Sequence, residues 1–408
     1  MTEQSTPVTD LLSDIRDIGR DQQRGGYSRF AYTDDEMSLR EWFVAEASRR
    51  SMDVETDRNG AIWAWRPGRG GSLDDAVVTG SHLDSVPGGG EFDGPLGVAS
   101  SLAAVDLLDA RGLEPDRPLA VVAFPEEEGG RFGLACLGSQ LMTGAVTPER
   151  ARGLRDGDGV SLADALARVG IDASRLGRDD EAIGRIGAFV ELHVEQGRGL
   201  VDLAQPVAIG STILGHGRWR LTISGEGNHA GATLMVDRRD PMVAAGMIVV
   251  AVRDAARSVD GARATVGRIV PVPGGTNVIA SRVDVWLDVR HPDDAVTAAL
   301  VERIREASVQ IAAGEGCTVD LVEESYSGSV SFDPHLRDRL STVLPDAPVL
   351  ATGAGHDAGV LAARVPTAML FTRNPTGVSH SPEEHVEDGD AEAGAQALAD
   401  VLEDLLRR

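Results

Sequence analysis

The sequence predicts an α/β fold on a mostly parallel sheet, interrupted by a smaller inserted α+β domain. Three observations carry this. Apolar runs alternate with helical stretches in the first half of the chain, the same style returns at its end, and the middle switches to alternating, half-buried strands.

In order, Ala76–Thr79, Leu119–Phe124 and Ala188–Leu192 read as buried strands, each running into polar or acidic residues. Gly97–Leu108 is an apolar helical stretch between the first two, and strand, crossover helix and strand in succession imply parallel pairing. Pro366–Phe371 reads as a further buried strand and Asp388–Leu406 as an amphipathic closing helix. In the middle, Arg218–Ser224 reads as a strand, Asp240–Ala256 as a helix opening with Asp-Pro, and Ala264–Ile269 as a strand ending at Pro271. Val283, Val285, Leu287 and Val289 alternate with polar residues or Trp286, the signature of a half-buried strand. A helix over Asp294–Ala313 and a strand over Thr318–Glu323 complete a β-α-β-β-α-β order, the plan of a small one-sided sheet. The expected division is a discontinuous domain, residues 1–211 and 329–408, and an inserted domain, residues 212–328. A length of 408 residues also favours two domains.

Composition narrows the function. A net charge of −25 disfavours nucleic acid, whose phosphates need clustered cations. All 39 cationic side chains are arginine, so lysine-dependent phosphate loops and Schiff-base mechanisms are excluded. The two cysteines, Cys136 and Cys317, are far apart and lack a CxxC spacing, which suits a reduced compartment. Met1–Asp21 is polar and acidic, unlike a signal peptide, and no apolar run is long enough to cross a bilayer. A cytoplasmic, membrane-free protein is expected.

Four segments at predicted strand ends carry chemistry. The first is Gly80-Ser81-His82-Leu83-Asp84 with the glycine-rich loop Gly88–Gly94 that holds Asp93. His82 can bind a metal through one ring nitrogen while Asp84 accepts a hydrogen bond from the other. The second is Glu126-Glu127-Glu128, three adjacent carboxylates that repel one another unless cations or protons compensate. On a surface helix solvation would explain them. Here a hydrophobic strand leads directly into them, which favours metal binding plus general-base work. The third is Glu191-Leu192-His193-Val194-Glu195-Gln196-Gly197, where alternation puts residues 191, 193 and 195 on one face. The fourth is Ser379-His380-Ser381, after the last strand. Together His82, Asp93, Glu128, His193 and His380 form a mixed N/O set suited to borderline divalent metals.

These motifs, in this order, resemble the M20 metallopeptidase superfamily, and in particular its N-carbamoyl-L-amino-acid hydrolase and allantoate amidohydrolase branch, which includes β-ureidopropionase. The matching segments run from Leu11 to the final helix and include GSHLDSVPGGGEFDGPLGV, EEEGGRFG, ELHVEQG, GEGNHAG, LDVRHPD, GAGHDA and GVSHSPEE. The resemblance implies a di-metal catalytic domain and an inserted lid/dimerisation domain. Asp93 would bridge two divalent ions (Zn, or Mn, Co or Ni), one completed by His82 and His193, the other by Glu128 and His380. Glu127 falls at the general base, and His229 at a histidine that polarises the scissile carbonyl, often across a homodimer interface. Asn277 and Arg290 match residues that hold a substrate carboxylate, for which a guanidinium fork is apt, and Gln196 matches another substrate contact. Peptidases of the superfamily usually carry a carboxylate where this chain has His193. The change makes the metal pair one charge more positive and suits hydrolysis of a ureido group.

Some positions depart from the family pattern. His216 stands where glutamine is common, Arg198 where proline usually follows, Ala232 and Leu234 alter the HAG segment, and Arg373 lies close to His380 in sequence. These bear on the substrate rather than the chemistry. The expected reaction is removal of an N-carbamoyl group, releasing amino acid, carbon dioxide and ammonia: the metals would activate a water, Glu127 would take its proton and later protonate the leaving nitrogen. Allantoate hydrolysis, or removal of a formyl or formimino group from an amino acid such as glutamate, are the nearest alternatives. A peptidase, disfavoured by His193, and a non-catalytic metal-binding protein, disfavoured by Glu127, come last.

Overall fold

The computed structural model describes residues 6–407; residues 1–5, the start of the polar N-terminal stretch, and residue 408 lie outside it. Backbone contacts divide the chain into two units, Met1–Ser211 with Ser331–Arg408, and Thr212–Val330.

The strands before the second unit are β1 (Asp53–Thr56), β2 (Ile62–Arg66), β3 (Ala76–His82), β4 (Leu119–Phe124), β5 (Ile186–Val194) and β6 (Val207–Ile213). The second unit holds β7 (Gly215–Ser224), β8 (Asn228–His229), β9 (Arg263–Val272), β10 (Val278–Ile279), β11 (Arg282–His291) and β12 (Thr318–Ser327). Then follow β13 (Val330–Ser331), β14 (Val349–Thr352) and β15 (Thr367–Thr372).

The large sheet has the order β1-β2-β4-β3-β5-β15-β6-β13, with β14 paired to β6. Its four central strands, β4, β3, β5 and β15, are parallel, while β1–β2, β2–β4 and β15–β6 are antiparallel. The sheet is therefore mixed, with a parallel heart. That heart is where the sequence shows unbroken apolar runs, because strands covered on both faces bury every side chain. All seven residues of β3 are buried. Its Val77 and Val78 are fully so, a gain of about 1.5–3 kcal/mol each relative to exposure.

Parallel neighbours place their C-terminal ends on one edge of the sheet. The chain leaves β3 toward β4 and leaves its neighbour β5 toward β6 on the opposite side, so the connections diverge between β3 and β5 and open a crevice there, where such sheets bind ligands. His82 ends β3, the glutamates follow β4, His193 lies one residue from the end of β5, and the His380 loop follows β15. Helix Pro95–Ala110 is buried on nearly all sides, between β3, β5 and helix Asp388–Leu406. Its start admits only glycine. Gly94 has φ +88°, and a Cβ there would sit 2.4 Å from the His82 ring.

The second unit follows the order β7, helix Pro241–Arg257, β9, β11, helix Asp294–Gly314, β12, with the short pair β8–β10 beside it. Its sheet order is β12-β7-β11-β9. Leu221, Ile223, Val283, Val285, Leu287 and Val289 turn one face of it into a core against the two helices. Strand β9 runs on past Pro271, where the sequence suggested an end. It is an edge strand, where a residue without an N–H is tolerated.

Candidate metal centre

His82 and His193 are oriented from behind by backbone. The His82 Nδ1 lies 3.0 Å from the Asp84 carbonyl oxygen, and the His193 Nδ1 lies 2.9 Å from that of Val194. A carbonyl only accepts, so each Nδ1 carries a proton, and each ring in its neutral form presents an Nε2 lone pair. Both Nε2 atoms are buried without a hydrogen-bond partner. Both face the same oxygen, Asp93 Oδ1, at 3.4 Å from His82 and 3.1 Å from His193.

The other oxygen of Asp93 faces a second group. Its Oδ2 is 3.5 Å from His380 Nε2, which is 3.4 Å from Glu128 Oε2. Among the described residues, His82, Asp93 and His193 form one group able to hold a metal ion, and Asp93, Glu128 and His380 another. Two buried lone pairs aimed at a carboxylate oxygen are mutually repulsive. A cation between them removes the conflict, as do protons. The donor set, imidazole and carboxylate, fits borderline divalent ions.

The electrostatics point the same way. Burial favours a neutral His82, yet Glu127, Asp93 and Asp84 together push its pKa well above the usual value. Burial, opposed by His82, pushes Glu127 far up, and burial with Asp93 lifts Glu128 to about 8. Positive charge is what this cluster of buried acids lacks.

Glu127 Oε2 lies 3.6 Å from His82 Nε2, beside the first group. Asp84 acts differently from the expected histidine partner. Its carboxylate stands 3.7 Å from the His82 ring nitrogen and instead accepts the N–H groups of Glu127 and Glu128, each at 3.1 Å. The backbone carbonyl of Asp84 serves the histidine, and the side chain shapes the glutamate turn. Glu126, at φ +53°, accepts the N–H groups of Arg131 and Phe132 and so closes that turn. Glu195 also leaves the site: it accepts from Gly199 and Leu200 at a helix start, because β5 ends one residue before it. Gln196 turns its amide N–H onto Asp93 Oδ2 at 2.9 Å and onto Ser379, holding the carboxylate between the two groups rather than facing away. Arg373 is forked onto Asp390.

Several residues went unassigned in the sequence. Glu384 accepts the N–H groups of Phe92 and Asp93 at 3.1 and 2.9 Å and the hydroxyl of Ser379, so it ties the Asp93 loop to the His380 loop. Buried Glu191 accepts from Ser81 and from the Ala358 N–H. The buried ring of His356 packs 4.4 Å from that of His193. Their only sequence signal was an acid or histidine inside the matching segments ELHVEQG, GAGHDA and GVSHSPEE.

The remaining candidates lie in the second unit. His229 pairs with Val278 across the β8–β10 ribbon, and Ala230 donates to the Asn277 carbonyl. His229 Nδ1 accepts the N–H groups of Gly231 and Ala232, so its exposed Nε2 carries the proton. Arg290 faces His216 across β11 and β7. The Arg290 guanidinium, expected to hold a substrate carboxylate, donates to Asp288 at 2.7 and 3.0 Å, because residues two apart share a strand face. His216 is held neutral, its pKa lowered by burial and then by Arg290. The His229 ribbon adjoins the Arg282 end of β11, through Gly227 and Ser281, and Arg290 lies eight residues along, about 26 Å away.

Residues 78–404 match the model of peptidase family M20/M25/M40. The chain is 36% identical to an N-carbamoyl-L-amino acid amidohydrolase of Geobacillus stearothermophilus, over 95% of each chain. It is 33% identical to an allantoate amidohydrolase of Bacillus subtilis, over 97% of this chain and 96% of the relative. The solved structure of a hydantoinase/carbamoylase family amidase from Burkholderia multivorans matches with a TM-score of 0.89 at 33% identity, over 98% of this chain and 97% of that one. The chain belongs to peptidase family M20/M25/M40.

Proposed function

We propose that this member of the family is a two-metal amidohydrolase that removes the N-carbamoyl group of an amino-acid-like substrate, releasing amino acid, carbon dioxide and ammonia. The observation that carries the reading is Asp93, whose two oxygens face two separate donor sets with Glu127 beside them. His82, His193 and Asp93 would hold one divalent ion, and Asp93, Glu128 and His380 the other. Ions held there supply Lewis acidity, lowering the pKa of water and polarising a carbonyl. Glu127 takes the proton of the attacking water and returns it to the leaving nitrogen. His229, with a proton on its outward Nε2, donates to the oxyanion that develops on the scissile carbonyl. Arg290, steadied by Asp288, and Asn277 bind the substrate carboxylate, with Gln196 and His216 lining its path.

The second unit acts as lid and dimerisation domain in this reading. His229 and Asn277 lie at one end of its sheet and Arg290 and His216 at the other, so one substrate meets both ends only if two copies contribute. Exposed Leu234, Met235, Val236, Met242, Val243 and Met247 on this unit support a homodimer that covers them. Among the described residues no helix is long and apolar enough to cross a membrane. Two buried, unpaired cysteines support a reducing, cytoplasmic setting.

Allantoate is the second reading, supported by the Bacillus subtilis relative. A panel of N-carbamoyl, N-formyl and N-formimino amino acids plus allantoate, run with Zn, Mn, Co and Ni and with chelator, separates the two. Ammonia release from carbamoyl amino acids, abolished by chelator, is expected. Exclusive turnover of allantoate would replace the carbamoyl assignment, and chelator-resistant turnover would sink the metal mechanism.

A further inference from the structure

We propose, resting on the reading of Glu127 as general base, that Cys136 is its positioning residue: the thiol holds one carboxylate oxygen so that the other faces the reacting water. Cys136 precedes helix Leu137–Thr143 in a left-handed conformation, φ +51° and ψ +35°. A side chain other than glycine is uncommon there and persists only where its surroundings enforce it. The surroundings are plain. The N–H groups of Cys136, Leu137 and Gly138 donate to the carbonyls of Glu127, Glu126 and Pro125 at 2.6, 3.1 and 3.2 Å. The helix start is thus clamped onto the segment that carries the base. A Cβ on Gly138 would meet Pro125 at 2.5 Å, so the approach is as close as backbone allows.

From this seat the thiol reaches inward. Cys136 Sγ lies 3.4 Å from Glu127 Oε1, with both residues buried, while Glu127 Oε2 lies 3.6 Å from His82 Nε2. Burial, then the charge of Glu127, push the thiol pKa well up, so it remains a donor. The terminal torsion of a glutamate is soft. A donor on one oxygen removes that freedom and leaves the other aimed at the His82 side, the geometry that proton abstraction requires. Ser139, three residues on, is occupied elsewhere, since its hydroxyl donates to Asp357.

The test compares Cys136→Ala, Cys136→Ser and Glu127→Gln in the metal-loaded protein, with metal content, KM and kcat measured for each. Cys136→Ala should lower kcat about tenfold, the scale of one weak hydrogen bond, with KM and metal content unchanged. Cys136→Ser should recover most of that loss, because a hydroxyl donates to the same oxygen. A Cys136→Ala enzyme with wild-type kcat, or a serine variant as slow as the alanine one, would overturn the inference. Activity retained in Glu127→Gln would instead overturn the base assignment beneath it. A spectroscopic arm needs no alanine variant to fold: in a Cys317→Ser background the S–H infrared band of Cys136 should lie low in frequency and shift on Glu127→Gln. A band that does not move rules out the contact.

Discussion

The histidines of the two units are set in opposite protonation patterns by the backbone around them. In the first unit, His82 and His193 give their Nδ1 protons to carbonyls and turn buried lone pairs toward Asp93. In the second, His229 receives two backbone N–H groups at Nδ1 and turns an N–H outward from an exposed ribbon. The same side chain is turned to present its Nε2 lone pair in one place and its Nε2–H in the other, and the choice lies in whether a C=O or an N–H stands behind the ring. Burial differs as well: the Nε2 atoms of His82 and His193 are buried, whereas His229 is exposed.

The contrast can be broken most severely at Asp93. Asp93→Ala should empty both metal positions and abolish turnover, because the two cations lose their one shared anion; metal analysis that still finds two tightly held ions would rule out the bridge. His229→Ala should leave metal content intact while lowering kcat by about 10²–10³, the scale of one oxyanion donor. Mixed under subunit exchange with Glu127→Gln, it should regain up to about a quarter of wild-type activity, since half the dimers are mixed and one of their two sites is whole. Mixed dimers without recovery would mean that His229 serves its own chain. Arg290→Ala should raise KM about ten- to a hundredfold, from the loss of about 1.5–3 kcal/mol of charge-assisted binding, with kcat little changed. Unchanged kinetics would show that Asp288 keeps the guanidinium for structure alone. The gentlest change is Glu384→Gln, which weakens the tie behind Asp93. Metal affinity should fall about tenfold by titration, as for other supports of ligand residues, and an unaltered affinity would show that the Asp93 loop holds itself.

The two units also differed in how much their sequences disclosed. The parallel heart was legible because β3, β4, β5 and β15 are covered on both faces and read as unbroken apolar runs. The outer strand β1 was not, since it is short and all its residues but Val54 are polar and exposed. His82, Asp93, Glu128, His193 and His380 stood out as chemically loaded residues at strand ends. What supports them did not. Glu384 acts on a backbone 291 residues away, and Glu191 bonds across 110 and 167 residues. No local pattern announces such partners. Asp84 was seen as functional but aimed at the wrong atom, because the glutamate turn that claims its carboxylate exists only in three dimensions. The Arg290–Asp288 pair is the reverse case: Asp288 stands two residues away in plain view, and strand alternation alone predicts the pair.

The tie between Glu384 and the Asp93 loop gives the order of synthesis a physical meaning. A ribosome adding about 5–20 residues per second releases the segments holding His82, Asp93 and Glu128 well before residues 380–384 exist. During that interval the N–H groups of Phe92 and Asp93 have no carboxylate to receive them, and helix Pro95–Ala110 lacks the closing helix that covers it. A chain cut short before Glu384 lacks the carboxylate that receives the N–H groups of Phe92 and Asp93.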